Sequence, residues 1–122
     1  MPSPKKTLVL GASTNPARYS YLAIKKLRQY GHPVVAIGAK NGQVDDVEIV
    51  NKQVNLTEIN TITMYLGAKH QTEYYDYILS LKPARIIFNP GAENPELARL
   101  AADHNIEVEE ACTLVMLGTG QY

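Results

Sequence analysis

The sequence predicts an α/β fold in which helices cover both faces of an open parallel sheet. Short apolar runs over residues 7–10, 34–37 and 85–88 are typical of strands that are buried on both faces. Segments with helical periodicity alternate with these runs, and this alternation is typical of parallel sheets. The 122 residues suffice for one core, so a single domain is predicted over residues 1–122.

The first strand, residues 7–10, leads through Gly11 into a helix. The apolar residues of this helix fall on one side, and they are Ala23, Ile24, Leu27 and Tyr30. Gly31 ends the helix, and residues 34–37 form the second strand. This segment is therefore predicted to be a strand-helix-strand unit.

The middle of the chain is less regular. A loop is predicted over residues 38–42, and a short strand over residues 47–50. Residues 55–58 indicate a brief helical turn, and the β-branched residues within 61–66 indicate a further strand. Tyr74, Ile78 and Leu81 share one face of a helix that is predicted over residues 71–81.

The last third of the chain begins with a strand, residues 85–88. The loop after it ends at Asn94 and Pro95, which supply an N-cap and a first helical residue. A last strand and a final short helix or irregular segment are predicted over residues 106–108 and 112–117. The result is a Rossmann-like, doubly wound parallel sheet of about five to six strands, in the Rossmann strand order.

Ligands of such sheets bind beyond the carboxyl ends of the strands, where the strand order reverses. The loops predicted to meet there are residues 11–18, 38–41, 66–70 and 89–94. In the first loop, Gly11 and Ala12 lead into a helix start. The first amides of a helix lack carbonyl partners and carry partial positive charge, which favours a phosphate. Gly11 allows close backbone approach, and Ser13 and Asn15 can cap the helix or donate hydrogen bonds.

Cationic side chains in two of these loops are further candidates for phosphate contacts. Arg18 can form charge-assisted bonds to a phosphate, and a plain surface role is the alternative. The second strand leads into Gly38 and Lys40, where enzymes that hold NAD usually carry a carboxylate. Lys40 favours a phosphorylated ribose instead, as in NADP or coenzyme A, unless it is only solvated. The G-x-G-x-x-G fingerprint is absent, since Ser13 stands where its second glycine would be.

The loop that follows residues 85–88 carries the remaining candidates. Gly91, after Pro90, permits close backbone approach, and Asn89 can bind an amide or hydroxyl of a ligand. The alternative is a loop that only directs the following helix.

The amino-acid composition argues against several classes of binding partner. Twelve basic and twelve acidic residues cancel, which argues against nucleic acid or an anionic membrane surface as the partner. Residues 1–6 carry no apolar signal segment, so a cytoplasmic location is expected. One cysteine excludes an internal disulfide, and the three histidines are scattered singly, so no metal site is predicted. We interpret these histidines as surface or helix-end residues.

No catalytic residue is assigned. His70, Glu93 and Cys112 are the titratable candidates, since His70 follows a strand that ends near the predicted cleft. Cys112 follows acidic residues, which disfavour a thiolate, so it is expected to be a buried structural cysteine rather than a nucleophile. The small size and the tyrosines within residues 74–77, on an outer helix, are compatible with a homodimer.

Three segments resemble the small CoA-binding protein family, and together they span nearly the whole chain. They are Gly11-Ala12-Ser13 with Asn15-Pro16 and Arg18-Tyr19-Ser20, then residues 85–94, then residues 110–117. These proteins are stand-alone Rossmann domains similar to the N-terminal CoA-binding domain of the succinyl-CoA synthetase α subunit.

The resemblance implies that coenzyme A lies across the carboxyl edge of the sheet. The Gly11-Ala12-Ser13 turn would then face the phosphates, with Arg18 near a phosphate and the adenosine end at the loop after the second strand. Many relatives carry a Val-Asn-Pro-like sequence at that loop, where this chain has Ile37-Gly38-Ala39-Lys40.

Three functions follow from the sequence. The first is a non-catalytic CoA-binding module that acts as a carrier or sensor. The second is an enzyme that acts on a CoA thioester, or an NADP-dependent oxidoreductase. The third is a structural protein whose cleft is empty or holds another phosphate.

Overall fold

The computed structural model describes residues 3–122 and confirms the α/β class. Met1 and Pro2, which the predicted domain includes, lie outside the described residues. The strands are β1 (Thr7–Ala12), β2 (Val34–Gly38), β3 (Gly42–Val44), β4 (Val47–Val50), β5 (Thr61–Met64), β6 (Arg85–Phe88) and β7 (Glu107–Glu110). The α-helices are α1 (Tyr19–Gln29), α2 (Tyr75–Leu81), α3 (Pro95–Asp103) and α4 (Thr113–Gly118).

The strands form one sheet in the order β3-β4-β2-β1-β5-β6-β7. Every neighbouring pair is parallel except β3 and β4, which are antiparallel. Without β3, the sheet has the six strands and the Rossmann order that the sequence predicts. The chain extends the sheet to one side of β1 and then to the other, so the order reverses beside β1.

The additional strand β3 is a correction to the predicted loop over residues 38–42. Gly38 is the last residue of β2, and Gly42 is the first residue of β3. Val44 pairs with Val47, so only Asp45 and Asp46 lie in the turn. Asp45 has a φ of 52°, a left-handed conformation that aspartate tolerates better than most residues.

Helices cover both faces of the sheet, as predicted. On one face, alternate residues of β1, β5 and β6 pack against α2 and α3, and they include Leu8, Leu10, Ile62, Met64, Ile86 and Phe88. On the other face, Val9, Ala36 and Ile49 pack with Ile24 and Leu27 of α1. Most of these side chains are fully buried, which stabilises the fold by the transfer of apolar area from water.

The structure corrects two predicted helical segments. Residues 55–58 form no helical turn, because Glu58 has a φ of 58° and a right-handed turn cannot contain that conformation. The helix predicted over residues 71–81 begins only at Tyr75, after two 3₁₀ turns at Ala68–His70 and Thr72–Tyr74. The N-cap at Asn94 is confirmed, since its side chain accepts a hydrogen bond from the amide of Leu97.

One aromatic side chain differs from its predicted position. Tyr30 is half exposed at the end of α1 instead of facing the core. The tyrosines on which the homodimer expectation rests pack partly against the core, and they are Tyr74, Tyr75 and Tyr77. Among residues 3–122, no helix has the length and apolar character needed to cross a membrane.

Candidate functional site

A cavity of about 730 Å³ opens at the carboxyl edge of the sheet, beside the end of β1. The end of β1 supplies the predicted residues Gly11 and Ala12, and the loop between β1 and α1 supplies Ser13, Asn15 and Arg18. Lys40 and Pro90 line the same cavity from the loops after β2 and β6. The other three candidates, Gly38, Asn89 and Gly91, are not among the lining residues.

The loop after β1 satisfies part of its own backbone. Ser13 Oγ accepts a hydrogen bond from the amide of Asn15 at 3.0 Å, and Asn15 Oδ1 accepts one from the amide of Ala17 at 2.9 Å. Within residues 3–122, the amides of Ser13 and Thr14 have no protein acceptor. Both residues line the cavity, so these two amides are available to a ligand.

Within residues 3–122, the N-terminus of α1 also lacks a side-chain cap. Arg18 occupies the N-cap position without a side-chain capping bond, and no acidic residue lies in the first turn. Ser20, in that first turn, is only 4% exposed and lines the cavity. Its hydroxyl forms no hydrogen bond within the part of the chain that the structure describes. The helix end therefore presents partial positive charge and a free hydroxyl to the cavity.

The charged residues of the cavity are cationic. Arg18 and Lys40 line it, and no Asp or Glu does so among the described residues. The ion pairs within residues 3–122 join other residues, so neither cation is neutralised by a carboxylate. Since the whole chain has a net charge of zero, this is a local concentration of positive charge that suits an anionic ligand.

Gly11 is required by packing as well as by its conformation. Its φ is 97°, and a Cβ atom there would lie 3.0 Å from the amide nitrogen of Leu66 and from the carbonyl carbon of Tyr65. The close approach that this glycine permits is therefore to the chain itself. It brings the segment after β5 against the end of β1 and so closes one side of the cavity.

That segment supplies lining residues that the site prediction omits. Tyr65, assigned to a strand from the sequence, lies beyond the end of β5 and lines the cavity together with Leu66 and Gly67. Burial raises the pKa of the Tyr65 phenol to about 12, so the group is neutral at physiological pH. Thr14, Tyr19, Ser20 and Ala39 also line the cavity. The sequence signals for them were their position in the predicted loops and helix start and, for Tyr19 and Ser20, their place in the segment that resembles the CoA-binding family.

The loop after β6 uses its polar groups internally. Asn89 is 2% exposed, and its side-chain amide donates to Thr63 Oγ1 at 2.8 Å and to the Met64 carbonyl at 2.9 Å. Its Oδ1 accepts from the amide of Thr113 at 2.9 Å. The amide of Gly91 donates to Glu93 Oε1 at 2.9 Å. This loop therefore joins β5, β6 and α4 to one another.

Gly38 has a comparable structural role at the end of β2. A Cβ atom at this position would lie 2.2 Å from the carbonyl oxygen of Ala12, which no side chain could tolerate. The glycine thus lets the ends of β1 and β2 approach each other, and it shapes the cavity without lining it.

Of the titratable candidates for catalysis, His70 alone lines the cavity, among the residues described. Glu93 accepts the hydrogen bond from Gly91, and Cys112 is partly buried at the N-cap of α4. Within residues 3–122, no group of three or more His, Cys, Asp or Glu residues is placed to hold a metal ion.

Comparison with known proteins finds a matching protein family and similar solved structures. A family profile described as a CoA binding domain matches residues 5–118. A search of curated proteins found no match. The crystal structure of an uncharacterized protein is 43% identical, with a TM-score of 0.96, and the match covers 99% of this chain and all of that one (100%).

More distant structures share the fold. A hypothetical protein from Pyrococcus horikoshii OT3 is 19% identical with a TM-score of 0.86, over 95% of this chain and 83% of that chain. The dinucleotide-forming acetyl-coenzyme A synthetase 1 of Ca. Korarchaeum cryptofilum, in complex with phosphate and ADP, is 17% identical with a TM-score of 0.72. That match covers 88% of this chain and 26% of the synthetase, so the likeness is to one part of the larger protein.

Proposed function

The chain belongs to the CoA-binding domain family, and we propose that it binds coenzyme A in the cavity at the carboxyl edge of the sheet. The observation that carries this proposal is the lining of the cavity. Unpartnered amides, an uncapped helix end and two unpaired cations face the same space, without a carboxylate among the described residues. Such a set of donors favours a ligand that carries several phosphate oxygens.

We assign the different parts of coenzyme A to different lining residues of the cavity. The diphosphate would bind at the amides of Ser13 and Thr14, with Ser20 and Arg18 as further donors. Lys40, from the loop after β2, would bind the 3′-phosphate of the adenosine. The uncharged pantetheine arm would then extend along Leu66 and Pro90. The volume of about 730 Å³ lies within the usual range of small-molecule pockets, roughly 300–1,000 Å³.

We further propose that the protein acts as a binding module, such as a carrier or sensor, without catalysing a reaction. General acid–base catalysis commonly needs a pair of groups with opposite roles. The cavity offers His70 without a carboxylate beside it in the described lining. An enzyme acting on a CoA thioester is the alternative, and it would lose its activity in the variant His70→Ala.

Calorimetric titration with coenzyme A, dephospho-coenzyme A, NADP and NAD tests the ligand. We expect coenzyme A to bind about tenfold more tightly than dephospho-coenzyme A, because one charge-assisted contact to the 3′-phosphate contributes about 1.5 kcal/mol. The variant Lys40→Ala should abolish that preference. Lys52→Ala serves as the control, since Lys52 is exposed and does not line the cavity.

Two results would contradict the proposal. If coenzyme A does not bind, it is not the ligand of the cavity. If NADP binds more tightly than coenzyme A, the cavity is a dinucleotide site instead. A preference for coenzyme A that persists in Lys40→Ala would leave the ligand in place and exclude Lys40 as the partner of the 3′-phosphate.

A further inference from the structure

Gln71 is a polar residue that is completely buried between the two 3₁₀ turns, with an exposure of 0%. Its side-chain nitrogen Nε2 donates to the carbonyl of Leu66 and to the carbonyl of Ala92, each at 2.8 Å. These carbonyls belong to different loops, the one after β5 and the one after β6. A single amide group therefore bridges two loops at the carboxyl edge of the sheet.

The orientation of this amide is fixed by a third bond. Gln71 Oε1 accepts from Nδ2 of Asn94 at 2.9 Å, so both hydrogens and the oxygen of the amide are used. Asn94 in turn caps α3 through the amide of Leu97 and donates to Tyr75 Oη at 2.8 Å. Buried polar groups with all their partners present hold their surroundings in one arrangement.

Each bridged loop contributes to the cavity. Leu66 lines it, and so does Pro90, which lies in the same loop as Ala92. Within residues 3–122, Gln71 forms no side-chain hydrogen bond to the loop between β1 and α1, which carries the unpartnered amides and Arg18. The bridge thus joins the two loops whose lining residues Leu66 and Pro90 are uncharged, and it is separate from the loop that carries Arg18.

We infer that Gln71 is a positioning residue that holds the Leu66 and Pro90 sides of the cavity at a fixed separation for the uncharged arm of the ligand. This inference rests on the proposed binding of coenzyme A. A cavity whose sides are already in place avoids the cost of ordering them when the ligand binds. The contribution should therefore be confined to ligands that carry the pantetheine arm.

The test compares coenzyme A with adenosine 3′,5′-bisphosphate, which lacks that arm, by calorimetry. In Gln71→Glu, carboxylate oxygens replace the donor that serves both carbonyls, while the side chain keeps its size. We expect the affinity for coenzyme A to fall about tenfold, because the two loops are no longer held in place before the ligand binds. The affinity for the bisphosphate should change by less than about twofold. Gln71→Leu should behave in the same way.

The control is Tyr75→Phe, which removes bonds from the same cluster but leaves both bonds between Gln71 and the loops intact. It should lower the melting temperature without changing the affinity for either ligand. If the Gln71 variants do not fold, Asn94→Asp replaces them. It keeps the oxygen that caps α3, loses the donor to Gln71 Oε1, and should weaken binding of coenzyme A selectively, by about threefold.

The outcomes separate the inference from the proposed function. A wild-type protein that does not bind coenzyme A would overturn both. Wild-type binding with equal losses for the two ligands in Gln71→Glu would show a general effect on the fold and overturn the positioning role. Unchanged affinities in all of these variants would overturn it as well, while leaving coenzyme A as the ligand.

Discussion

Two loops at the same edge of the sheet, residues 13–18 after β1 and residues 89–94 after β6, differ in where their hydrogen bonds go. The first loop leaves the amides of Ser13 and Thr14 unpartnered within residues 3–122 and facing the cavity. The second loop places Asn89 in three internal hydrogen bonds. Both loops contain asparagine followed by proline, so their composition is similar. The partners of the polar groups distinguish a loop that is open to a ligand from one that supports the fold.

The largest expected effect distinguishes two glycines, Gly11 just before the first loop and Gly91 within the second. Gly11 and Gly91 have nearly equal φ values, 97° and 92°, but only at Gly11 would a Cβ meet other atoms within 4 Å. Gly11→Ala should lower the free energy of unfolding by about 4 kcal/mol, and Gly91→Ala by about 1.5 kcal/mol from backbone strain alone. Urea denaturation measures both. Equal losses would show that the contact between Gly11 and the segment after β5 contributes nothing.

The next effect concerns Asn89. Replacing it with alanine leaves the buried amide of Thr113 without its acceptor and removes the side-chain donor to the Met64 carbonyl, and we expect a loss of about 3 kcal/mol of unfolding free energy. The affinity of the folded protein for coenzyme A should be unchanged, because Asn89 does not line the cavity. Denaturation and calorimetry on the same sample check this. If the alanine variant kept its stability but bound coenzyme A more weakly, Asn89 would be a ligand contact rather than a structural residue.

Arg18 should show the opposite behaviour. Its side chain is exposed and forms no ion pair within residues 3–122, so Arg18→Ala should change the unfolding free energy by less than about 0.5 kcal/mol. The affinity for coenzyme A should fall about tenfold, or about 1.4 kcal/mol. Arg99→Ala, an exposed arginine on α3, is the control. An affinity equal to that of the control would exclude Arg18 from the site.

The smallest expected effect is on the pH dependence of stability and concerns His32, which lies outside both loops. His32, predicted at the surface, is 7% exposed, and its Nδ1 accepts a hydrogen bond from the amide of Lys5. Burial, with Lys5 and Arg85 nearby, lowers the pKa of His32 below the usual 6.5. The unfolded chain therefore binds a proton more readily than the folded one, and stability falls as the pH drops below about 6.5.

Differential scanning calorimetry at pH 7 and pH 5.5 measures this contribution. Between these values the melting temperature of the wild-type protein should fall by about 2 °C more than that of His32→Asn. The affinity of His32→Asn for coenzyme A should equal that of the wild type, since His32 does not line the cavity. An identical pH dependence in the two proteins would contradict the assignment.

Much of the fold could be predicted because β1, β2 and β6 contain short apolar runs that lead directly into glycine or asparagine. The antiparallel strand β3 was missed because its turn, Asp45-Asp46, contains no glycine. The pattern of Val44 and Val47 around two aspartates was present in the sequence and could have indicated a hairpin. The two 3₁₀ turns before α2 were not predictable, because Gln71 bonds to carbonyls that only the folded chain brings near.

The site was predictable where it depends on the start of a helix. Glycine and capping residues after β1 indicated the loop that the structure places on the cavity. Ser20 was missed as a site residue because its burial depends on packing around the end of α1. The role of Asn89 was equally hidden, since an asparagine that follows a strand serves a ligand or the protein depending on which atoms lie opposite it.

The two outer strands of the sheet limit how the protein can associate. β3 has three residues, and its neighbour holds its inner side, so it offers little backbone to another chain. β7, at the opposite margin, carries carboxylates at Glu107, Glu109 and Glu110, and within residues 3–122 only that of Glu109 is paired, with Arg85. A second β7 aligned beside it would bring like charges together. Addition of a strand from another molecule is therefore disfavoured at both edges of the sheet. At one edge β3 is short, and at the other the carboxylates of β7 repel each other.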